Sequence, residues 1–361
     1  MSVTLVARLF GPENLGELSL VQATSAMAMF IVVLGLDHIV VRDLARKPND
    51  FEFISTVFIT QLIGWCVYAI TVFTVLVLLN EHALSMDIML IFISVVLATY
   101  FNRATVIKYY FQAVNQPRII AISAVVSRIS ALCYLAFALL NDFTYEVVLF
   151  FLPIQAFIQF SILFVTYLKE QRCRFIFKYN VERAKKILNE ALPLIGSAAL
   201  FPIFMQADIL LISKLLSKTD VGIYSAAARL ISQFVFLGHI ITMTFYLALT
   251  RRIDECSSDK DEFISGIIKI LFLFGFIMST GTFIFSDWII SLLYGDKFNG
   301  SGDILAILAW NWVIIFPAAL YSRLLVIFGL AKYELIKSVV VASLSLTLNF
   351  MLIPVIGIKG A

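Results

Sequence analysis

Charge is what this sequence has least of. Only 14% of its 361 residues are charged, against about 25% in an ordinary soluble domain. Hydrophobic residues make up 61%, and the mean hydropathy is +0.96. One soluble core cannot absorb that much apolar surface, so part of it must meet lipid. The net charge of +3 is too small for a nucleic-acid binder, and no nucleic-acid partner is expected. The start of the chain lacks the basic stretch, short apolar core and small-residue cleavage site of a secretory signal. Cysteine is scarce: Cys66, Cys133, Cys173 and Cys256 show no CxxC or Cys/His spacing, which leaves metal and redox chemistry without support. They read as small apolar residues and free thiols. Histidine occurs three times, at His38, His82 and His239, far apart in the expected topology. There is no GxSxG, Walker loop or HExxH motif. No catalytic residue, metal or cofactor is therefore expected, and transport driven by the chain's own ATP hydrolysis is excluded.

What the chain does have is long apolar runs. About 20 apolar residues cross a bilayer as a helix. Ten such spans are expected, near 16–36, 53–79, 86–107, 118–140, 146–168, 191–216, 222–249, 264–285, 303–328 and 335–355. They are too long for strands and lack period-two alternation. The fold class is thus an all-α polytopic membrane protein. The loops are too short for a soluble domain; the longest, "KEQRCRFIFKYNVERAKKILNE" around 169–190, holds seven Lys and Arg. Lys and Arg on its side of the membrane number twenty, against five on the other. By the positive-inside rule the basic loop is cytoplasmic, and both ends of the chain face the opposite side.

An internal repeat is visible. "LGELS" at 15–19 and "VGIYS" at 221–225 each open an apolar helix, and Gly16 and Ser19 align with Gly222 and Ser225 at an offset of 206. The same shift brings 53–79 onto 259–285, and a slightly larger one brings 111–140 onto 328–357. Two homologous six-helix bundles, pointing the same way through the membrane, are expected: a parallel repeat, as in many transporters. The expected divisions are a bundle over 1–168, a basic cytoplasmic linker over 169–190 and a second bundle over 191–361. On this reading "MSVTLVARLF" is the last part of a first helix, the partner of 146–168 falls beyond Ala361, and the chain is a twelve-helix fold lacking most of helix 1 and all of helix 12. A ten-helix protein is the alternative.

Ionisable residues in mid-span are costly and point to a functional interior. Arg128, Asp208 and Arg229 are such residues. Ser225, Arg229, Ser232, Phe236 and His239 share one helical side, and Ser19, Gln22 and Ser25 follow the same register in the repeat partner. Ser123, Ser127, Ser130 and Tyr134 form another stripe beside Arg128. Polar stripes on apolar helices face water or another helix. Arg128, Arg229, Gln22 and Ser225 are candidate cavity residues; the alternatives are bridges from the arginines to Asp208 or an acidic helix end, and close packing for the serines. His239 is either a packed histidine or a proton-coupling group. Pro193 and Pro202 kink the Asp208 helix, as a static bend or a moving part.

In order along the chain come "ARLFGPENLGELSL" (7–20), "LGLDHIVVRDLAR" (34–46), "DILLISKLLSKTDVGIYSAAARL" (208–230), "LYGDKFNGSGDIL" (293–305) and "IPVIGIKGA" (353–361). Together they resemble the polysaccharide biosynthesis flippases, the O-antigen translocase family, over essentially the whole chain. The family belongs to a superfamily with multidrug and toxin extruders and the lipid II flippase. The resemblance implies flipping of a polyprenyl-diphosphate-linked oligosaccharide across the bacterial inner membrane, by alternating access between two lobes around a cationic cavity. Arg128 and Arg229 would fit that cavity, because guanidinium pairs well with phosphate oxygens. Asp208 would be a coupling acid or the arginines' counter-ion, and His239 a second coupling candidate. Partners implied are the lipid-linked oligosaccharide, the lipid bilayer, and polysaccharide polymerase and assembly proteins.

Two other readings compete. A multidrug or organic-cation exporter would favour an acidic, aromatic cavity, whereas the mid-span charges here are two Arg and one Asp. A membrane polymerase or glycosyltransferase would need a large extracytoplasmic loop. The longest available, "SDWIISLLYGDKFNGSG" over 286–302, reads better as an interfacial helix.

Overall fold

The computed structural model describes residues 2–33, 36–79, 85–103, 106–170, 177–254, 260–328 and 330–361. Cys173, His82 and Cys256 lie outside the described residues. Helix dominates what is described, and no strand occurs among those residues. In chain order the helices begin with α1 (Ser2–Phe10), α2 (Pro12–Met27), α3 (Phe30–Val33), α4 (Leu36–Arg46), α5 (Phe51–Leu79) and α6 (Met86–Arg103). Next are α7 (Val106–Ala113), α8 (Pro117–Leu140), α9 (Tyr145–Val148), α10 (Phe151–Glu170), α11 (Val181–Leu215) and α12 (Lys218–Asp254). The last are α13 (Lys260–Ile284), α14 (Ser286–Tyr294), α15 (Ser301–Ala309), α16 (Asn311–Ile327) and α17 (Ala331–Ile356).

Among the described residues, eight helical runs are long and apolar enough to cross a membrane. α5 shows why. Its buried positions, Val57, Gln61, Gly64, Tyr68, Val72 and Leu76, form a narrow stripe at helical spacing. The opposite face is just as apolar yet open: Ile70 is 67% exposed and Leu78 73%. In water such a face would be a liability; in hydrocarbon it is the solvent-compatible side. Asp50 starts this helix by accepting the Phe53 N–H on Oδ1 at 2.9 Å, a cap that satisfies one of its orphan donors.

The remaining expected spans fall on α2–α3 and on α11. The continuous helix expected over 16–36 is interrupted: Met29 N–H bonds to Ala26 O, Ile31 N–H to Ala28 O and Val32 N–H to Met29 O. These are i−3 bonds, and a tightened turn of that kind breaks the helical ladder. The helix expected from 191 starts ten residues sooner, at Val181. Much of the expected linker 169–190 is therefore helical, with α10 running to Glu170. At 35 residues and 1.5 Å per residue, α11 is about 50 Å long and overshoots the hydrocarbon layer. The break between α1 and α2 is confined to Gly11, at φ +93°, because Pro12 already occupies the first position of α2.

Contacts divide the chain into two compact units: residues 3–19 with 211–361, and residues 20–210. In the first unit α12 packs on α13, α15 and α16, and α13 on α15 and α16. Polar groups join these helices, with Trp312 Nε1 donating to Ile231 O at 3.1 Å and Ser279 Oγ to Ala309 O at 2.7 Å. In the second unit α10 packs on α6 and α8, α4 on α7, and α3 on α5. Here Ser123 and Ser127 of α8 are buried in line with Ala131, Leu135 and Ala138. Their hydroxyls donate to Ile120 O and Ala124 O of their own helix, so this serine stripe serves close packing, as small residues do between membrane helices. A core of Leu36, Val40, Ile54, Phe111, Tyr167 and Ile187 ties α4, α5, α7, α10 and the start of α11 together.

Candidate functional site

The first turns of α2 and α12 cross within the first unit, and the repeat explains how. Ser217 and Asp220 build a reciprocal cap at the start of α12: Asp220 N–H donates to Ser217 Oγ at 3.1 Å, and Ser217 N–H to Asp220 Oδ2 at 3.1 Å. This places Gly222 against Pro12, where an added Cβ would overlap the Pro12 carbonyl oxygen. Gly16 meets Lys218 in the same way, its missing Cβ leaving room for the Lys218 carbonyl oxygen. Pro12 and Lys218 are themselves 206 residues apart, as are Gly16 and Gly222. The contact is thus reciprocal under the repeat. Lys218 Nζ closes it with an ion pair to the buried Glu17, at 2.6 Å. α1 is fastened to the same end, with Arg8 Nη1 donating to Leu292 O at 2.6 Å and Lys297 Nζ to Leu9 O at 3.0 Å.

One and two turns further along α12 come Ser225 and Arg229. Ser225 is fully buried, and its hydroxyl has no hydrogen-bond partner among the described residues. Arg229 is half-buried and donates through Nη2 to Ser19 Oγ of α2 at 3.1 Å. It also lies within electrostatic reach of Tyr294, whose phenol burial pushes above its ordinary pKa. Beyond Arg229 the polar side of α12 opens: Ser232, Phe236 and His239 are exposed. The expected stripe is real as a helical face, but its first half is packed and its second half is open.

The other candidates belong to the second unit. Arg128 sits midway along α8 and is exposed, flanked by exposed Val125, Ile129 and Leu132. Asp208 is half-buried in α11, its Oδ1 accepting the Ile209 N–H at 2.9 Å. Gln22 is half-buried in α2. Within the first unit the structure brings together Arg229, Ser225 and Ser19; Arg128, Asp208 and Gln22 lie in the second. No group of three or more His, Cys, Asp or Glu among the described residues could hold a metal.

A site that sequence reasoning counted only as loop charge lies at the basic end of the second unit. The end of α4, the start of α5 and the start of α11 enclose a pocket of about 530 Å³. Arg42 donates to Asp43 at 2.7 Å and to Glu190 at 3.0 Å, and the Asp43 hydrogen bond, then that of Glu190, holds its guanidinium above its ordinary pKa. Arg183 grips both oxygens of Asp50, at 3.1 and 3.0 Å. Nearby, Lys178 and Asn180 bind the Glu52 carboxylate at 3.0 and 2.8 Å. The signal in the sequence was the spacing of Ala184, Ile187 and Ala191, all buried, which marks one apolar side of a helix and not a loop.

Comparison with known proteins places this geometry. The sequence model of a family described as "Polysaccharide biosynthesis protein" matches residues 2–233. The chain belongs to that family. A curated relative, the capsular polysaccharide biosynthesis protein CapF of Staphylococcus aureus, is 22% identical over 361 residues, covering 99% of this chain and 88% of its own. Among solved structures, an inward-facing multidrug resistance MATE family transporter of the MOP superfamily matches with a TM-score of 0.73 at 14% identity. That match covers 99% of this chain and 88% of the transporter. At that identity the likeness shows the fold alone: this is a multi-pass membrane protein in a polysaccharide biosynthesis family.

Proposed function

We propose that the chain is a flippase that moves a polyprenyl-diphosphate-linked oligosaccharide, the repeat unit of a surface polysaccharide, across the bacterial inner membrane by alternating access. O-antigen is one such polymer, and the capsular polysaccharide in CapF's name is another. The family membership supports the polysaccharide part of this reading, and the transporter fold supports movement over chemistry. The basic ends, including 169–190, face the cytoplasm, where such lipid-linked units are assembled. Polymerase and assembly proteins would receive the product on the other side.

The observation that carries the reading is Arg128. It is exposed at mid-height of an apolar helix, where contact with lipid costs about 3 kcal/mol. A water-filled substrate path removes that cost, and a guanidinium on its wall suits a diphosphate. Arg229, held by Ser19 within the first unit, is a second candidate cation for the diphosphate. Asp208 and His239 are the proposed ion-coupling groups, with Asp208 alternatively the counter-ion.

The test is surface polymer in cells that depend on this protein. Arg128→Ala and Arg229→Ala should each reduce it at least about tenfold, the loss of one charge-assisted phosphate contact, while the protein still inserts. Arg128→Lys should retain part of it. Normal polymer from Arg128→Ala would sink the cavity assignment. Normal polymer together with altered efflux of a cationic dye would favour the exporter reading instead.

A further inference from the structure

We propose that the pocket between the end of α4 and the start of α11 binds the phosphodiester headgroup of an anionic phospholipid, and that the bound lipid clips the start of α11 to the second unit. The charge balance of the lining is the first argument. Five cations and three carboxylates line it. The carboxylates are already engaged, Asp43 and Glu190 by Arg42, and Asp50 by Arg183 and the Phe53 N–H. Arg46, Lys47 and Lys186 are exposed, and their side chains make no ion pair or hydrogen bond among the described residues. Three uncommitted cations around one cavity are an anion site. Three carboxylates in the same wall disfavour a polyanion and suit a singly charged phosphodiester.

Depth is the second argument. The pocket touches Asp50 and Phe53, and the membrane-crossing run of α5 starts at Phe51. At 29 residues and 1.5 Å per residue that helix is about 43 Å long, more than the hydrocarbon layer, and Glu52 in its first turn puts the excess at this end, at headgroup level, where lipid is the concentrated source of phosphate. The third argument is what the ligand would join. Arg46 and Lys47 belong to α4 and its end, Lys186 to α11. Besides the buried packing of Ile187 and Ala191, the polar bridges between these elements are solvent-exposed ion pairs, a weak class of contact. A phosphodiester bound by cations from both sides adds a link that none of them supplies. The proposal rests on the membrane-spanning fold and not on the identity of the cargo.

Lys185 and Lys186 offer a matched test, because both are exposed and only Lys186 lines the pocket. The full chain in zwitterionic micelles at physiological salt is titrated with phosphatidylglycerol, and with phosphatidylcholine as the neutral reference. Saturable binding of phosphatidylglycerol is expected. Lys186→Gln should weaken it about tenfold, as losing a charged phosphate contact does, and Arg46→Gln should do the same by a second route. Lys185→Gln should change it by no more than about twofold, because Lys185 does not line the pocket and salt weakens a charge that makes no direct contact. Equal losses at positions 185 and 186 would reduce the effect to diffuse surface attraction and overturn the pocket. Full competition by millimolar inorganic phosphate would overturn the lipid as its source. Failure here leaves the flippase reading intact, since that is read from surface polymer.

Discussion

At Gly16 and Gly222 a missing side chain sets how near two helices come. Alanine at either position would gain about 1 kcal/mol of helix propensity. The added methyl would meet a backbone carbonyl, of Lys218 or Pro12, which cannot rotate away as a side chain can. Overpacking of this kind costs about 1–3 kcal/mol, and no flexible neighbour relieves it, so the cost wins. Gly16→Ala and Gly222→Ala should each destabilise the protein in micelles, by a net of up to about 2 kcal/mol. Because the two contacts are reciprocal, separating the helices at one relieves the other. The double variant should therefore lose clearly less than the sum of the singles; strict additivity would mean that the two glycines act independently and would sink the shared crossing. The pairing of Gly16 with Gly222 was legible in the sequence as a repeat. That the two repeats touch each other was not, because an internal similarity says nothing about which copies are neighbours.

At the scale of elements, the start of α11 carries the largest departure from expectation. Its density of Lys and Arg read as a loop, yet Ala184, Ile187 and Ala191 bury one side of it while the charges stay outward. The approach to it is held to the start of α5 by two kinds of bond. Ser55 Oγ and Thr56 Oγ1, both buried, accept the backbone N–H groups of Lys178 and Asn180 at 3.0 and 3.2 Å. Glu52 holds the same residues by an exposed ion pair and a side-chain hydrogen bond. Exposed pairs contribute about 0–1 kcal/mol, whereas a backbone donor left unpaired on a buried surface costs about 1–3 kcal/mol. Ser55→Ala with Thr56→Val should thus speed hydrogen exchange over 177–183 more than Glu52→Gln does. The opposite order, read by mass spectrometry on the intact chain, would show that charge and not backbone pairing fastens this segment. The broken helix at Ala28–Met29 escaped the sequence for a related reason: no Pro or Gly stands between Ala26 and Val33 to mark the local i−3 bonding.

Across the whole molecule, apolar length was the strongest sequence signal, because lipid imposes it from outside the fold. A helix must be long enough to cross and apolar enough to stay, whatever it packs against. The location of Arg128 on its helix followed from the same rule; the burial of Ser225 beside Arg229 did not, since it depends on how α2 and α12 meet. Charge asymmetry also yields the broadest prediction. Twenty Lys and Arg against five put Asn189 at the basic end and Asn299, between α14 and α15, at the opposite end. Both asparagines are exposed, so each can carry a reporter thiol without disturbing a core. In a variant with its four native cysteines replaced by serine, Asn299→Cys should react with a membrane-impermeant maleimide in intact spheroplasts. Asn189→Cys should react only after the membrane is opened. The reverse pattern would invert the chain in the bilayer and place the pocket of α4 and α11 on the outer leaflet. Equal labelling of both sites in sealed cells would mean that the two ends do not lie on opposite sides, and the count of spans between them would have to change by one.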